Sequence, residues 1–227
     1  MSRLWLLRHA RPLVDSGVCY GRLDVAADAG DTQQAAENFV AALTAQAAKD
    51  FSAAPATAAK NFSAPLPSMA ALRHSPLQRC EQLARSLIAL QPDFAHNTCV
   101  DARLQEMDFG TWEGLAWEAI ARSEIDAWAA DLAGHAPGDG ESLATMLQRV
   151  LQALQHSWAV DSQQGARDVV WVTHAGVIRC VQWLLLHGQQ PPTSADWMLP
   201  SPGFGQWLVL PWADSGPALQ RLGVPVR

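Results

Sequence analysis

The chain has 227 residues, 49% hydrophobic and 17% charged, which is enough apolar material for one large domain and argues against disorder over most of its length. A formal net charge of -6 with no basic block excludes a general polyanion binder. No nucleic-acid partner is expected, and any affinity for phosphate has to come from a few placed cations.

In chain order, residues 4–7 read as a buried strand and the Ala-rich stretch 33–48 as a helix. Residues 69–72 form the next apolar run. A helix over 76–90 follows, carrying Leu77, Cys80, Leu83, Leu87 and Leu90 at spacings of three and four. A short strand is expected at 98–100 and helices over 113–132 and 141–158, the latter with Leu143, Leu147, Val150, Leu151 and Leu154 on one face. A strand at 169–173, a helix at 177–186 and a strand at 206–210 complete the pattern. Strands alternating with helices imply a three-layer α/β/α sandwich with a mainly parallel sheet. The whole chain, 1–227, is expected to be a single domain. Between residues 47 and 67 a tandem echo, 47–53 and then 58–64, reads as a duplication within a mobile loop at about 50–67, with no chemistry of its own. The ten tryptophans follow no period and read as packing residues.

Cys19, Cys80, Cys99 and Cys180 lie far apart and form no CxxC pair, so reduced thiols in a cytoplasmic protein are expected rather than disulfides or a zinc knuckle. The apolar run at the N-terminus is too short for a signal-peptide core, and no stretch approaches the ~20 apolar residues that span a bilayer. No membrane partner is expected.

The chemistry gathers at strand ends. Residues 4–7 run into Arg8-His9, residues 69–72 into Arg73-His74-Ser75-Pro76-Leu77-Gln78-Arg79, and residues 169–173 into His174-Ala175-Gly176. Ligands of open α/β sheets bind beyond the carboxyl ends of the strands, so these three clusters should share one cleft. Ser75 to Gln78 reads as a capping box with Pro76 at the first helical position. That would place Arg79 in the first turn, where an anion meets a guanidinium and free amides. Taken alone the segment reads first as a plain helix start, and His9 or His174 alone is equally a structural histidine. No His-Glu-x-x-His or close His/Cys pair suggests a metal.

Together these residues carry a resemblance. Arg8-His9-Ala10, Ser75-Pro76-Leu77-Gln78-Arg79, Glu106 to Gly114 (Glu-Met-Asp-Phe-Gly-Thr-Trp-Glu-Gly), Gly140-Glu141-Ser142 and His174-Ala175-Gly176-Val177-Ile178-Arg179 resemble, in order, motifs of the histidine phosphatase superfamily, which includes the cofactor-dependent phosphoglycerate mutases. The resemblance implies a phosphoglycerate mutase-like fold and a metal-independent phosphatase without a cofactor. It implies that His9 becomes phosphorylated, that Arg8, Arg79 and His174 hold the phosphoryl oxygens, and that Glu106 is the general acid. Phosphoryl transfer rests mostly on positioning and charge stabilisation, which two arginines and a second histidine can supply. His9 should then be neutral and His174 protonated, and Glu106 should have a raised pKa among Phe109 and Trp112. Glu113 and Glu141 read as helix-start charges.

Two departures from the family pattern stand out. Ala10 replaces the usual Gly, which permits backbone conformations that Ala resists. Arg11-Pro12 replaces a Glu/Thr-rich segment, leaving Arg11 either a phosphate contact or a surface residue. Cys19-Tyr20-Gly21-Arg22-Leu23-Asp24-Val25 is similar to an element of α-ribazole-phosphate phosphatases of cobalamin biosynthesis, which implies α-ribazole 5'-phosphate as substrate and Tyr20, Gly21 and Arg22 as substrate contacts. Arg22 reads equally as a partner of Asp24. The expected partner is a small phosphorylated metabolite. A phosphoglycerate mutase, a response-pathway phosphohistidine phosphatase and a non-catalytic phosphate-binding protein are the alternatives. The oligomeric state is not legible.

Overall fold

The computed structural model describes residues 3–52, 71–163 and 168–211, with residues 220 and 222. Five strands form one sheet in the order β3-β2-β4-β1-β5. They are β1 (Arg3–Arg8), β2 (Ala71–His74), β3 (Thr98–Val100), β4 (Asp168–Thr173) and β5 (Trp207–Pro211). β1 to β4 run parallel, and β5 joins the edge antiparallel to β1.

The strands at the centre are buried on both faces, and the side-chain alternation of each strand assigns its residues to two cores. Leu4, Leu6, Val169 and Trp171 point to one face, where they meet Leu147, Val150, Leu154, Ile178 and Val181. Those residues belong to α4 (Leu143–Gln163) and α5 (Ala175–His187). Trp5, Leu7, Val170 and Val172 point to the other face, against Phe39, Leu43, Leu83 and Leu87. These come from α1 (Ala29–Ser52) and α2 (Gln78–Leu90). The three-layer α/β/α sandwich with a mainly parallel sheet is therefore the observed fold. At the amino end of the central strands, Asp168 accepts from Arg3 at 2.6 and 2.7 Å and from the Trp5 indole at 3.1 Å, which ties β4 to β1.

Two expected helices differ. The long helix over 113–132 is broken into 3-10 turns at Gly110–Trp112 and Trp117–Ala119 before α3 (Arg122–Ala130). Gly110 and Gly114 adopt φ of 53° and 81°, left-handed conformations that end a right-handed helix. α1 starts earlier, where the Asp28 carboxylate accepts the Asp31 amide at 2.9 Å, and runs on to Ser52. The first copy of the tandem echo thus begins as helix rather than loop. Its second copy, and with it most of the mobile loop expected at 50–67, lies outside the described residues. Among the described residues no helix is long and apolar enough to cross a membrane.

Candidate active site

The sheet order explains why residues distant in the chain meet. Arg8 and Thr173 are partners at the carboxyl ends of β1 and β4, so the next residues, His9 and His174, emerge side by side. Their ring centroids are 5.1 Å apart, and the His9 amide donates to the Thr173 carbonyl at 3.0 Å. β4 also pairs with β2, which brings residues 75–79 in from the other side.

His9 is 2% exposed. Its Nδ1 lies 2.7 Å from the Ala10 carbonyl oxygen, which can only accept, so Nδ1 carries the proton and Nε2 keeps the lone pair. Burial, with the nearby charges of Arg79 and Arg8, lowers the pKa of His9 to about 3. Ala10 itself is buried and its backbone lies outside the left-handed region, so this loop takes Ala in place of the usual Gly without strain.

His174 is fully buried. Its Nδ1 accepts from Arg79 Nε at 3.3 Å, so its proton sits on Nε2, 2.9 Å from Ser75 Oγ. Its pKa lies well below the ordinary value, chiefly because of burial and then because of Arg79 and His9. The expected protonated His174 is therefore not what the structure holds. The partners around the ring are a guanidinium, a hydroxyl and the Cys80 thiol, and none of them favours a cation.

Arg79 is also fully buried, donating to the carbonyls of Leu23 at 2.8 Å and Gly21 at 2.6 Å. The capping box expected at the start of α2 does not form. The helix begins at Gln78 behind an uncapped Leu77, because Ser75 Oγ is turned to His174 and accepts only the Leu77 amide at 3.3 Å. The cap comes from outside the segment, where Asp24 accepts the Gln78 amide at 2.7 Å and its side-chain amide at 3.1 Å. Asp24 thus holds Gln78, not Arg22.

A cavity of about 210 Å³ opens in front of His9. Arg8, Glu106 and Arg179 supply its charged lining beside His9, while Tyr20, Phe109, Trp117, Trp128 and Trp197 make an aromatic wall. Arg79 and His174 lie behind this surface. Arg8 donates to the Pro202 carbonyl at 3.0 Å with its guanidinium 4.0 Å from the Phe204 ring centroid. Burial presses its pKa down from the ordinary guanidinium value, and a guanidinium keeps its charge in proteins. The carboxylate of Glu106 is fixed by two amides, Oε1 accepting from Met107 and Oε2 from Gly176, both at 3.1 Å.

The remaining expected site residues divide. Tyr20 and Gly21 line the cavity. Arg22 does not; it reaches Asp108 at 3.3 Å and Glu141 at 3.9 Å. Arg11 lies on the surface in an exposed pair with Asp31, away from the cavity lining. Glu113 and Glu141 are not helix-start charges. Glu113 accepts the amides of Arg22 at 2.6 Å and Phe109 at 3.0 Å, joining two cavity loops. Glu141 is 7% exposed and forms a two-pronged pair with Arg149. Sequence reasoning gave no role to Arg179, Trp128 or Trp197. Arg179 alone carried a signal, since it closes the last of the five motifs.

Two buried imidazoles and flanking guanidiniums at the carboxyl ends of a parallel sheet define a phosphate-handling α/β enzyme. The chain belongs to the histidine phosphatase superfamily, branch 1, whose model matches residues 4–225, and it is a hydrolase, a phosphatase, of that superfamily. Among solved structures, mycobacterial glucosyl-3-phosphoglycerate phosphatase matches with a TM-score of 0.65 and 25% identity, covering 93% of this chain and 90% of that one. An alpha-ribazole phosphatase from Shigella flexneri matches with a TM-score of 0.66 and 21% identity, covering 92% and 89%. A putative alpha-ribazole-5'-P phosphatase from Escherichia coli gives 0.63 and 22%, again covering 92% and 89%. No curated protein matches.

Proposed function

We propose that this phosphatase hydrolyses a small phosphomonoester without a metal, through a phosphohistidine on His9. The observation that carries this reading is the His9 ring itself, whose Nδ1 proton is engaged by Ala10 and whose buried Nε2 is unprotonated at neutral pH. In the first step Nε2 bonds to phosphorus, the P–O ester bond breaks, and Glu106 gives its proton to the departing alcohol oxygen. In the second step water attacks phosphorus, the Glu106 carboxylate takes the water proton, and Nε2 is released. Arg8, with Arg79 and His174 behind it, meets the phosphoryl oxygens.

For the leaving group, the aromatic wall favours a planar ring over a bare polyol, which supports α-ribazole 5'-phosphate as the substrate. The free thiols of Cys19, Cys80, Cys99 and Cys180 fit a cytoplasmic setting. One observation favours a second reading, phosphoglycerate mutase or a phosphatase of a glycerate ester. Arg179 lines the cavity and could hold a carboxylate.

Rapid quench of enzyme with radiolabelled substrate should trap an acid-labile, base-stable phosphoprotein, absent in His9→Ala together with turnover. A His9→Ala rate near that of the wild type would remove the assignment. α-Ribazole 5'-phosphate, glucosyl-3-phosphoglycerate and 3-phosphoglycerate with 2,3-bisphosphoglycerate then separate the substrates. Formation of 2-phosphoglycerate instead of free phosphate would identify the mutase.

A further inference from the structure

We infer that Arg149, held by Glu141, is a positioning residue that sets where the Glu106 carboxylate stands; the inference rests on Glu106 being the proton donor. Arg149 lies on α4 and Glu141 just before it, and neither lines the cavity. A guanidinium has five N–H donors. Here all five are used. Nε and Nη2 grip the two oxygens of Glu141 at 2.6 and 2.7 Å. Nη1 donates to the carbonyls of Arg103 and Gln105, both at 2.7 Å, and Nη2 also donates to the carbonyl of Glu106 at 3.1 Å.

The Leu104 carbonyl, the one Arg149 skips, accepts from Thr173 Oγ1 on β4 at 2.8 Å. The Asp108 carbonyl accepts the Glu141 amide at 2.8 Å. Every carbonyl from residue 103 to 106 is therefore pinned, three of them by one side chain. That stretch is otherwise only a 3-10 turn at Ala102–Leu104 followed by loop, with no ladder to define its path. Glu106 receives its backbone position from Arg149 and its side-chain direction from the Met107 and Gly176 amides. The pair is well buried, with side-chain exposures of 12% for Arg149 and 7% for Glu141, so its geometry is defined rather than averaged by solvent.

Lysine cannot reproduce this arrangement, since three rotatable donors on a point charge cannot serve two carboxylate oxygens and three carbonyls in one plane. The test compares kcat/KM, which reports steps up to departure of the alcohol, for p-nitrophenyl phosphate and for an alkyl phosphate. The nitrophenolate leaves with little help, whereas the alkoxide needs the proton. Glu106→Gln should lower the alkyl rate by about 100-fold or more relative to the nitrophenyl rate. R149K should lower the alkyl rate by about 10- to 100-fold and the nitrophenyl rate by less than about 3-fold, because a carboxyl misplaced by about an ångström loses proton transfer before it loses phosphate binding.

Inorganic phosphate inhibition should be unchanged in R149K. Should R149K fail to fold, E141Q keeps the guanidinium and its carbonyl bonds but weakens the grip that orients it, and it should show the same selective loss at smaller amplitude. Equal losses on both substrates in the folded variants, or no loss on either, would overturn the inference while leaving Glu106 as the acid. A uniform loss in Glu106→Gln itself would overturn both.

Discussion

The amide of Gly176 donates to Glu106 Oε2 at 3.1 Å, and a Cβ built on Gly176 would overlap the other carboxylate oxygen. Gly176 therefore stands where it does because a carboxylate occupies the place of its side chain. The obstructing atom is the end of a flexible side chain, not backbone, so Gly176→Ala should fold with little loss of stability and push Glu106 aside instead. Turnover of alkyl phosphates should fall about 10- to 100-fold, with KM nearly unchanged. Steady-state kinetics beside a thermal melt checks this, and a fully active variant would show that the carboxylate need not sit where it is.

The neutral, buried His9 has a consequence for stability. Its pKa is about 3 in the folded chain, against an ordinary value near 6.5 once unfolded. Below about pH 6.5 the unfolded ring gains a proton that the folded one does not, so stability is complete above that pH and falls as pH drops toward 3. From pH 7 to 5 this one histidine accounts for about 2 kcal/mol. Urea unfolding of the wild type and of His9→Asn at both pH values should differ by that amount, the variant being the less acid-sensitive. Parallel pH dependence in the two would contradict the buried neutral ring.

Asp24 joins the loop that carries Tyr20 and Gly21 to the first turn of α2, from which Arg79 projects. Removing it in Asp24→Ala leaves the Gln78 amide uncapped and loosens the carbonyls of Gly21 and Leu23 that hold Arg79. The expected cost is about 1 kcal/mol of stability and an increase of a few-fold in the inhibition constant of inorganic phosphate. A variant with unaltered phosphate inhibition would show that the loop and Arg79 are independent.

Trp117 stands at the open side of the aromatic wall, 37% exposed and stacked with Trp128 at an interplanar angle of 10°. Trp117→Ala should raise KM for ring-bearing phosphate esters by about 3- to 10-fold, as expected for an aromatic contact of about 1 kcal/mol. Inhibition by inorganic phosphate should not change. Equal effects on both would mean that the wall shapes the phosphate site, not the leaving-group site.

Dialysis against EDTA should leave turnover intact, since in the proposed reaction arginine guanidiniums, not a metal ion, supply the positive charge that meets the phosphoryl oxygens. Loss of activity that zinc or magnesium restores would refute the metal-independent reading.

Much of the fold was legible because apolar periodicity is a local property. The strands at 4–7, 98–100 and 169–173 and the helices over 76–90, 141–158 and 177–186 lie close to where their patterns put them, whereas the helices expected over 33–48 and 113–132 do not keep their bounds. Five motifs in order carried the family resemblance. Their meeting was not legible. It depends on β4 inserting between β1 and β2, and on the Arg8–Thr173 register that sets His9 beside His174. Hydrogen-bond partners were the other hidden layer. Ser75 serves His174 rather than its own helix, Asp24 caps α2 from 54 residues away, and Arg22, Glu113 and Glu141 all pair across loops. A polar side chain's type records what it can donate or accept, while its partner is chosen by which backbone segments packing brings within 3 Å. The sequence therefore determined the class of chemistry and the residue types that carry it. The tertiary structure alone decided which partner each ring nitrogen meets, which arginines line the cavity and which one grips the backbone leading to Glu106.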